Sequence, residues 1–361
     1  MSQDGDAPPV VVAGWIGSTN LGDELIASVL IRRLQDRGYA PVAPSLDPEH
    51  TRNAFGIESI PHRSLLANRR AIRGAKALIF GGGSLIQDMT SQLNLPYHLS
   101  RPWYASRAKI GFGAVGLDAG PLASKWGQRL ARRVLARASV VGVRNVESAD
   151  LLRSIGVDRV VKTADLALAC DVRKTPLSDR IAVCLRPPVN GGILPVDGRG
   201  EIQDAEWIQR AARALDQLSG STGLDIHFVA MQTDRDRVVH EAVHAVMKSD
   251  ATHADPTLET VLETIAATRL VVAMRYHGGV AAVVGGRPAV MLEYASKVGS
   301  LVRQVGKGFV GLGADEDALD SIPDAAISVM GRSEEVVESR YRLQMIEARN
   351  KDVLDQVVSY R

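Results

Sequence analysis

"RLVVAMRYHGGVAAVVGGRPAVMLE", residues 269–293, contains strand, turn, helix and second strand in sequence. Leu270–Met274 is a short apolar run rich in β-branched residues, the signature of a buried strand. Arg275 and His277 follow, and then Gly278 and Gly279 open an apolar stretch of helical character. Arg287 and Pro288 break it before a second apolar run ends at Glu293. Two strands joined by a helix in this way predict a crossover connection and a parallel sheet.

The same rhythm extends in both directions. Towards the N-terminus, "PVVVAGWIG" gives way to "STNLGDE" and to a helical stretch in which Leu25, Ile26, Val29, Leu30 and Leu34 recur at helical spacing. "KALIFGGG" leads into "SLIQDMTSQL", "AKIGFGAVG" into "KWGQRLARRVLARA", and "SVVGVR" into "NVESADLLRSIG". After the polar stretch "CDVRKTPLSD" the pattern restarts with "RIAVCLRPP". The expected fold is α/β: two doubly wound, Rossmann-like halves, residues 1–172 and 173–332, with one amphipathic C-terminal helix over 333–361. Such halves form a clamp, and ligands are expected outside the carboxyl ends of the strands.

Composition narrows the function classes. The chain has 361 residues, 45% hydrophobic and 23% charged, as expected for a globular protein of two domains. Its net charge of +2 gives no overall nucleic-acid footprint. The two cysteines form no CxxC pair, which argues against a disulfide framework or a structural zinc site and fits a reducing compartment. "MSQDGDAPP" lacks the basic and apolar regions of a signal peptide, and no segment is apolar enough to span a bilayer. A cytoplasmic protein is expected.

The loops after the strands hold the candidate site residues. In "GSTNLGDE", Asn20 and Asp23 open a helix; its acids disfavour a phosphate and suit sugar hydroxyls, while capping alone would also explain either residue. In "FGGGSLIQD", Gly82 and Gly83 permit close approach of a ligand. Ser84 is placed to cap the following helix, with Gln87 and Asp88 one turn in. Arg144 and Arg186 each end a strand, where a guanidinium suits a carboxylate or phosphate; a pairing of Arg144 with Glu147 or Asp150 is the plainer alternative. Arg275 and His277 are expected on one side of continuing extended backbone, with the Gly278 and Gly279 N–H groups open to an anion. Beyond the next strand, Glu293 is suited to orienting His277, and Lys297 adds positive charge.

Taken in order, "GWIGSTNLGDELI", "GGGSLIQDMTS", "GVRNVESADLL", "RYHGGVAA" and "PAVMLEYASKV" resemble the polysaccharide pyruvyl transferase family from about residue 10 to 305. Asn145 stands where that family usually has aspartate, and "GLDAGPL" is looser than its G-x-G-P. The resemblance implies a fold similar to GT-B glycosyltransferases. It implies phosphoenolpyruvate as co-substrate, no further cofactor and no metal, and transfer of pyruvate as a ketal onto a sugar diol of a cell-surface glycan or its lipid-linked precursor. It assigns donor binding and catalysis to Arg275 and His277. The residues' own chemistry then puts Arg144, Arg186, Gly278, Gly279, Glu293 and Lys297 on the donor side, and Asn20, Asp23, Gly82, Gly83, Ser84, Gln87 and Asp88 on the acceptor side. The resemblance admits peripheral association with the inner face of the membrane and homo-oligomerisation. The alternatives are a nucleotide-sugar glycosyltransferase of the same architecture and an inactive glycan-binding homologue.

Overall fold

The computed structural model describes residues 7–89, 93–186 and 205–360. Pro187 and Pro188, which follow Arg186, lie outside these residues, as do residues 90–92 of the stretch 84–93 expected to be helical. The chain forms two compact units. The first comprises residues 1–18, 23–169 and 344–361, and the second 19–22 and 170–343. The expected division at 172/173 thus falls three residues past Ala169, and the C-terminal segment divides between the units at 343/344.

In the first unit, β1 (Pro9–Ala13), α1 (Leu21–Gln35), β2 (Ala40–Ser45), α2 (Pro48–Phe55), β3 (Glu58–Pro61), α3 (Leu65–Gly74), β4 (Ala77–Ile86), α4 (Asn94–Arg107), β5 (Gly111–Ala119), α5 (Lys125–Leu135), β6 (Val141–Val143), α6 (Val146–Ser154) and β7 (Val160–Lys162) alternate. Their parallel sheet has the order β3-β2-β1-β4-β5-β6-β7. The central strands are buried on both faces, so Val10–Val12 and Leu78–Phe80 are apolar without alternation.

The second unit is built from β8 (Arg180–Cys184), α7 (Ala205–Thr222), β9 (Asp225–Val229), α8 (Thr233–His244), β10 (Ala251–Ala254), α9 (Val261–Ala266), β11 (Leu270–Ala273), α10 (Tyr276–Gly285), β12 (Ala289–Leu292), α11 (Ser296–Val305), β13 (Phe309–Leu312), α12 (Glu316–Leu319) and α13 (Ile322–Val329). Its parallel sheet has the order β10-β9-β8-β11-β12-β13. α10 is buried along its whole length, which explains why its sequence has no polar face.

The single C-terminal helix expected over 333–361 is two helices, α14 (Ser333–Glu347) and α15 (Arg349–Ser359), separated at Ala348. α15 lies on the first sheet, where Gly113 and Gly142 leave room for Val357 and Val353. Glu347 accepts two hydrogen bonds from Arg33, at 2.7 and 2.8 Å, and Asn350 donates to the Ala164 carbonyl. No helix of the described residues is long and apolar enough to cross a membrane.

Candidate active site

In the second unit, the central strand β11 delivers Arg275 to the start of α10. The helix begins at Tyr276, so His277 lies in its first turn and not on continuing extended backbone as expected. The Arg275 guanidinium is held by Asp236: Nε donates to both carboxylate oxygens at 3.0 Å, and Nη2 pairs with Oδ1 and reaches Gln232 Oε1 at 3.3 Å. Asp236 is fully buried at the start of α8 and also accepts the Met231 and Gln232 N–H groups. Burial pushes its carboxyl up, and the Arg275 charge opposes this.

His277 is buried, edge-on to the Tyr276 ring, with its imidazole against the backbone of Gly22. The 19–22 stretch is tied to this unit by Thr19 Oγ1 donating to Asp234 and by the Leu21 N–H donating to the Met231 carbonyl. Asn20, expected on the acceptor side, therefore groups with the residues of the second unit. Its Oδ1 accepts the Gly22 N–H at 3.2 Å, the capping role that its sequence position also admitted.

The glycine N–H groups are a second correction. Those of Gly278 and Gly279 donate to the Arg275 carbonyl at 3.0 and 3.3 Å, as helix formation requires. Their missing side chains serve packing: a Cβ at Gly278 would press on Cys184 and Ala273, and one at Gly279 on Met291 and Leu301. Glu293 points its carboxyl group over Gly299 and Gly311.

A cationic cluster stands around Tyr294. The Arg186 guanidinium lies 4.6 Å from the ring centroid and hydrogen-bonds the phenol, and Lys297 Nζ lies 5.8 Å from the same centroid. Burial would push the phenol up, but Lys297, Arg186 and Arg275 outweigh it and bring it down to about 8. A lowered phenol is a measure of local positive potential, the condition an anionic ligand needs.

In the first unit the glycine-rich stretch does not end its strand. β4 continues through Gly81–Ile86 and pairs with β5, Gly83 opposite Leu117 and Ser84 opposite Asp118. Positive φ at Gly82 and Gly83 bends the strand without ending it. Ser84 is thus a strand residue and caps no helix; its hydroxyl donates to Asp118 at 2.6 Å. Asp23 sits over Gly83 and lines a pocket with Trp15, Ile16, Gly81 and Gly82. Next to it, buried Glu24 accepts the Gly17 and Ser18 N–H groups and fixes the loop that carries Trp15.

Arg144 departs furthest from its expected place. It is 1% exposed and bridges Asp118 and Asp165, each at 2.8 Å, with Ser84 at 3.3 Å. The structure thus places it in the core, on these two carboxylates. Asp118 also accepts from Asn145 Nδ2 at 2.8 Å and from Ser148 Oγ at 3.1 Å, while Asn145 Oδ1 caps α6 through the Ser148 N–H. Asp88 is held by the 122–124 loop: it accepts the Ala123 and Ser124 N–H groups and the Ser124 hydroxyl. Burial opposes its ionisation, but these bonds leave it below the usual carboxylate range. Gln87 accepts the Met89 N–H.

Asp236, Tyr294, Trp15 and Asp118 are the residues to which the sequence assigned no role. Asp118 is the penultimate residue of β5, and Asp236 stands in the first turn of α8. Among the described residues, no group of three or more His, Cys, Asp or Glu is arranged to hold a metal.

Solved structures similar to this chain share its fold. UDP-GlcNAc 2-epimerase from Neisseria meningitidis bound to UDP-GlcNAc matches with a TM-score of 0.61 at 13% identity, covering 98% of this chain and 100% of that one. Anabaena Alr3699/HepE in complex with UDP-glucose matches at 0.60 and 12%, covering 96% and 99%. S. aureus MnaA with UDP matches at 0.59 and 12%, covering 95% and 92%. At these identities the likeness establishes the GT-B-like fold alone. No curated protein matches the chain in sequence. A family model described as polysaccharide pyruvyl transferase matches residues 20–296.

Proposed function

Since the chain belongs to the polysaccharide pyruvyl transferase family, we propose that it transfers pyruvate from phosphoenolpyruvate onto a sugar diol of a cell-surface glycan or its precursor, forming a ketal and releasing phosphate. The observation that carries this proposal is the cluster of Arg186, Lys297 and Arg275 around Tyr294, in the same unit as His277. A donor with both a carboxylate and a phosphate needs several cations at once, and guanidinium groups bind such oxygens in pairs.

In this reaction the donor's C3 gains a proton and C2 becomes electrophilic. One sugar hydroxyl bonds to C2 and loses its proton, the C2–O bond to phosphate breaks with phosphate taking the electron pair, and the second hydroxyl closes the ring with loss of its proton. An imidazole has one nitrogen that donates and one that accepts a proton, so His277 is assigned the transfers at C3 and at the attacking hydroxyl. Asp236 fixes the orientation of Arg275. The acceptor is assigned to the first unit's pocket. There Trp15 offers an aromatic face to a sugar ring and Asp23 accepts from hydroxyl groups.

The test incubates the protein with phosphoenolpyruvate and fractionated cell-envelope glycans. Phosphate release that requires both, with a pyruvyl mass gain on the glycan, is expected. Turnover of a UDP-sugar without phosphoenolpyruvate would replace this function with glycosyl transfer.

A further inference from the structure

One face of the first unit has a composition that pyruvyl transfer does not explain. Helices α3, α4 and α5 lie side by side over its sheet. Each follows a parallel strand, so their first turns align along the sheet's carboxyl edge. Residues 62–76, 93–109 and 122–139, which contain these helices, hold thirteen Arg and Lys and no Asp or Glu. All but Arg101 of these cations are exposed. The chain totals +2, so without these thirteen it would stand at −11. A nearly neutral protein therefore has a strongly polarised surface, and its basic side is this helical face.

Apolar side chains stand among the cations, at the helix starts. Leu65 and Leu66 in the first turn of α3 are 70% and 80% exposed, Leu93 at the start of α4 is 76% exposed, and Trp126 in the first turn of α5 is 54% exposed. Trp103, farther along α4, is exposed too, with the Arg107 guanidinium 5.9 Å from its ring. Single exposed leucines are ordinary on a soluble surface. A row of them spread over three adjacent helices whose own segments carry no carboxylate, with the half-buried Asp88 held at the start of α5, combines the two features of a peripheral membrane surface: apolar and indole groups for the interface, and Lys and Arg for lipid phosphates.

We propose that this face docks the protein on an anionic phospholipid bilayer. Leu65, Leu66, Leu93 and Trp126 enter the boundary between headgroups and acyl chains, while Arg63, Arg69, Arg70, Arg73, Lys125 and Arg129 contact lipid phosphates. A nucleic acid or an acidic polysaccharide would engage the cations equally well but would gain nothing from paired exposed leucines. The same sheet edge carries the Trp15–Asp23 pocket, so docking would bring that pocket to a lipid-linked sugar. This last link rests on the proposed function, but the docking itself does not.

The full chain is sedimented with phosphatidylcholine vesicles, with or without roughly a third phosphatidylglycerol, at physiological salt. Binding to the anionic vesicles alone is expected. The triple change Leu65→Ser, Leu66→Ser and Trp126→Ser, and separately Arg69→Glu, Arg70→Glu and Arg73→Glu, should each weaken it by about tenfold or more, with circular dichroism reporting an unchanged fold. Failure of the parent protein to sediment with anionic vesicles overturns the proposal. So does undiminished binding by the leucine variant together with equal affinity for a DNA duplex, which would make the face a general polyanion surface. No substrate enters the measurement, so its failure leaves the proposed reaction untouched.

Discussion

The imidazole of His277 packs so closely on the backbone of Gly22 that a Cβ at position 22 would overlap its ring. Gly22 lies in the first turn of α1 with no left-handed backbone to justify it, and alanine there would ordinarily favour the helix. Here the sign reverses. Gly22→Ala forces the histidine from its place, at a stability cost of about 1–3 kcal/mol typical of overpacking, and turnover should fall with it. Thermal melts and steady-state kinetics on one preparation check both effects; an alanine variant as stable and as active as the parent contradicts the packing.

Both carboxylate oxygens of Asp236 hold the Arg275 guanidinium, so Arg275→Ala has two consequences. Donor affinity drops, and a buried carboxylate loses its counter-charge, which costs about 3–5 kcal/mol. The double variant Arg275→Ala, Asp236→Ala separates them. It should regain much of the stability and none of the phosphoenolpyruvate affinity, measured by denaturant unfolding and calorimetry. Recovery of donor binding in the double variant would remove Arg275 from the donor site.

Arg144 is predicted to behave as a core residue. Its replacement by alanine leaves Asp118 and Asp165 buried without their shared cation, and the fold should lose about 3–5 kcal/mol. Protein that remains folded should bind phosphoenolpyruvate as the parent does. A stable Arg144→Ala protein with weakened donor binding would return this residue to the site.

These two arginines show how far the sequence could be followed. Each ends an apolar strand and follows the rule that ligands gather there, and nothing local distinguishes them. What separates them is the partner: Asp165 is 21 residues away and Asp118 26, while Asp236 is 39. The fold was more legible because central parallel strands, buried on both faces, read as continuous apolar runs in β1, β4, β8 and β11. β2 was hidden by Pro41 and Pro44, and β10 by its exposed Thr252 and His253. In "FGGGSLIQD" the glycines resembled a turn, but in fact Gly82 and Gly83 bend a strand that pairs onward with β5.

Tyr294 gives the site a pH signature. Its phenol is brought down to about 8 by Lys297, Arg186 and Arg275, against the opposing effect of burial. Below that value it is neutral and leaves the cations to an anionic donor; above it, phenolate occupies their field. Phosphoenolpyruvate affinity should therefore fall as pH rises through about 8, and donor binding should in turn raise the phenol's pKa. Tyr294→Phe should abolish this alkaline loss while retaining binding near neutrality. Calorimetry from about pH 7 to 9.5 reads the effect, and an identical pH dependence in the Phe variant would assign the titration elsewhere.

Turnover should depend more on His277 than on any other side chain of the site. This histidine lies in the first turn of a wholly buried helix, two residues after the arginine that Asp236 fixes, with its ring seated on Gly22. A side chain held this firmly can transfer a proton repeatedly from one position, which is what protonation of C3 and deprotonation of the attacking hydroxyl both require. Asparagine keeps much of the shape and some hydrogen-bonding capacity but cannot titrate. His277→Asn should reduce turnover by roughly 10²–10⁴, the usual contribution of general acid–base catalysis, while donor affinity changes much less because Arg186, Lys297 and Arg275 remain. Single-turnover kinetics with phosphoenolpyruvate and an accepted glycan, alongside calorimetry of donor binding, distinguish the two effects. Full turnover in the Asn variant would leave His277 as the packing partner of Gly22 and move the proton chemistry to another group.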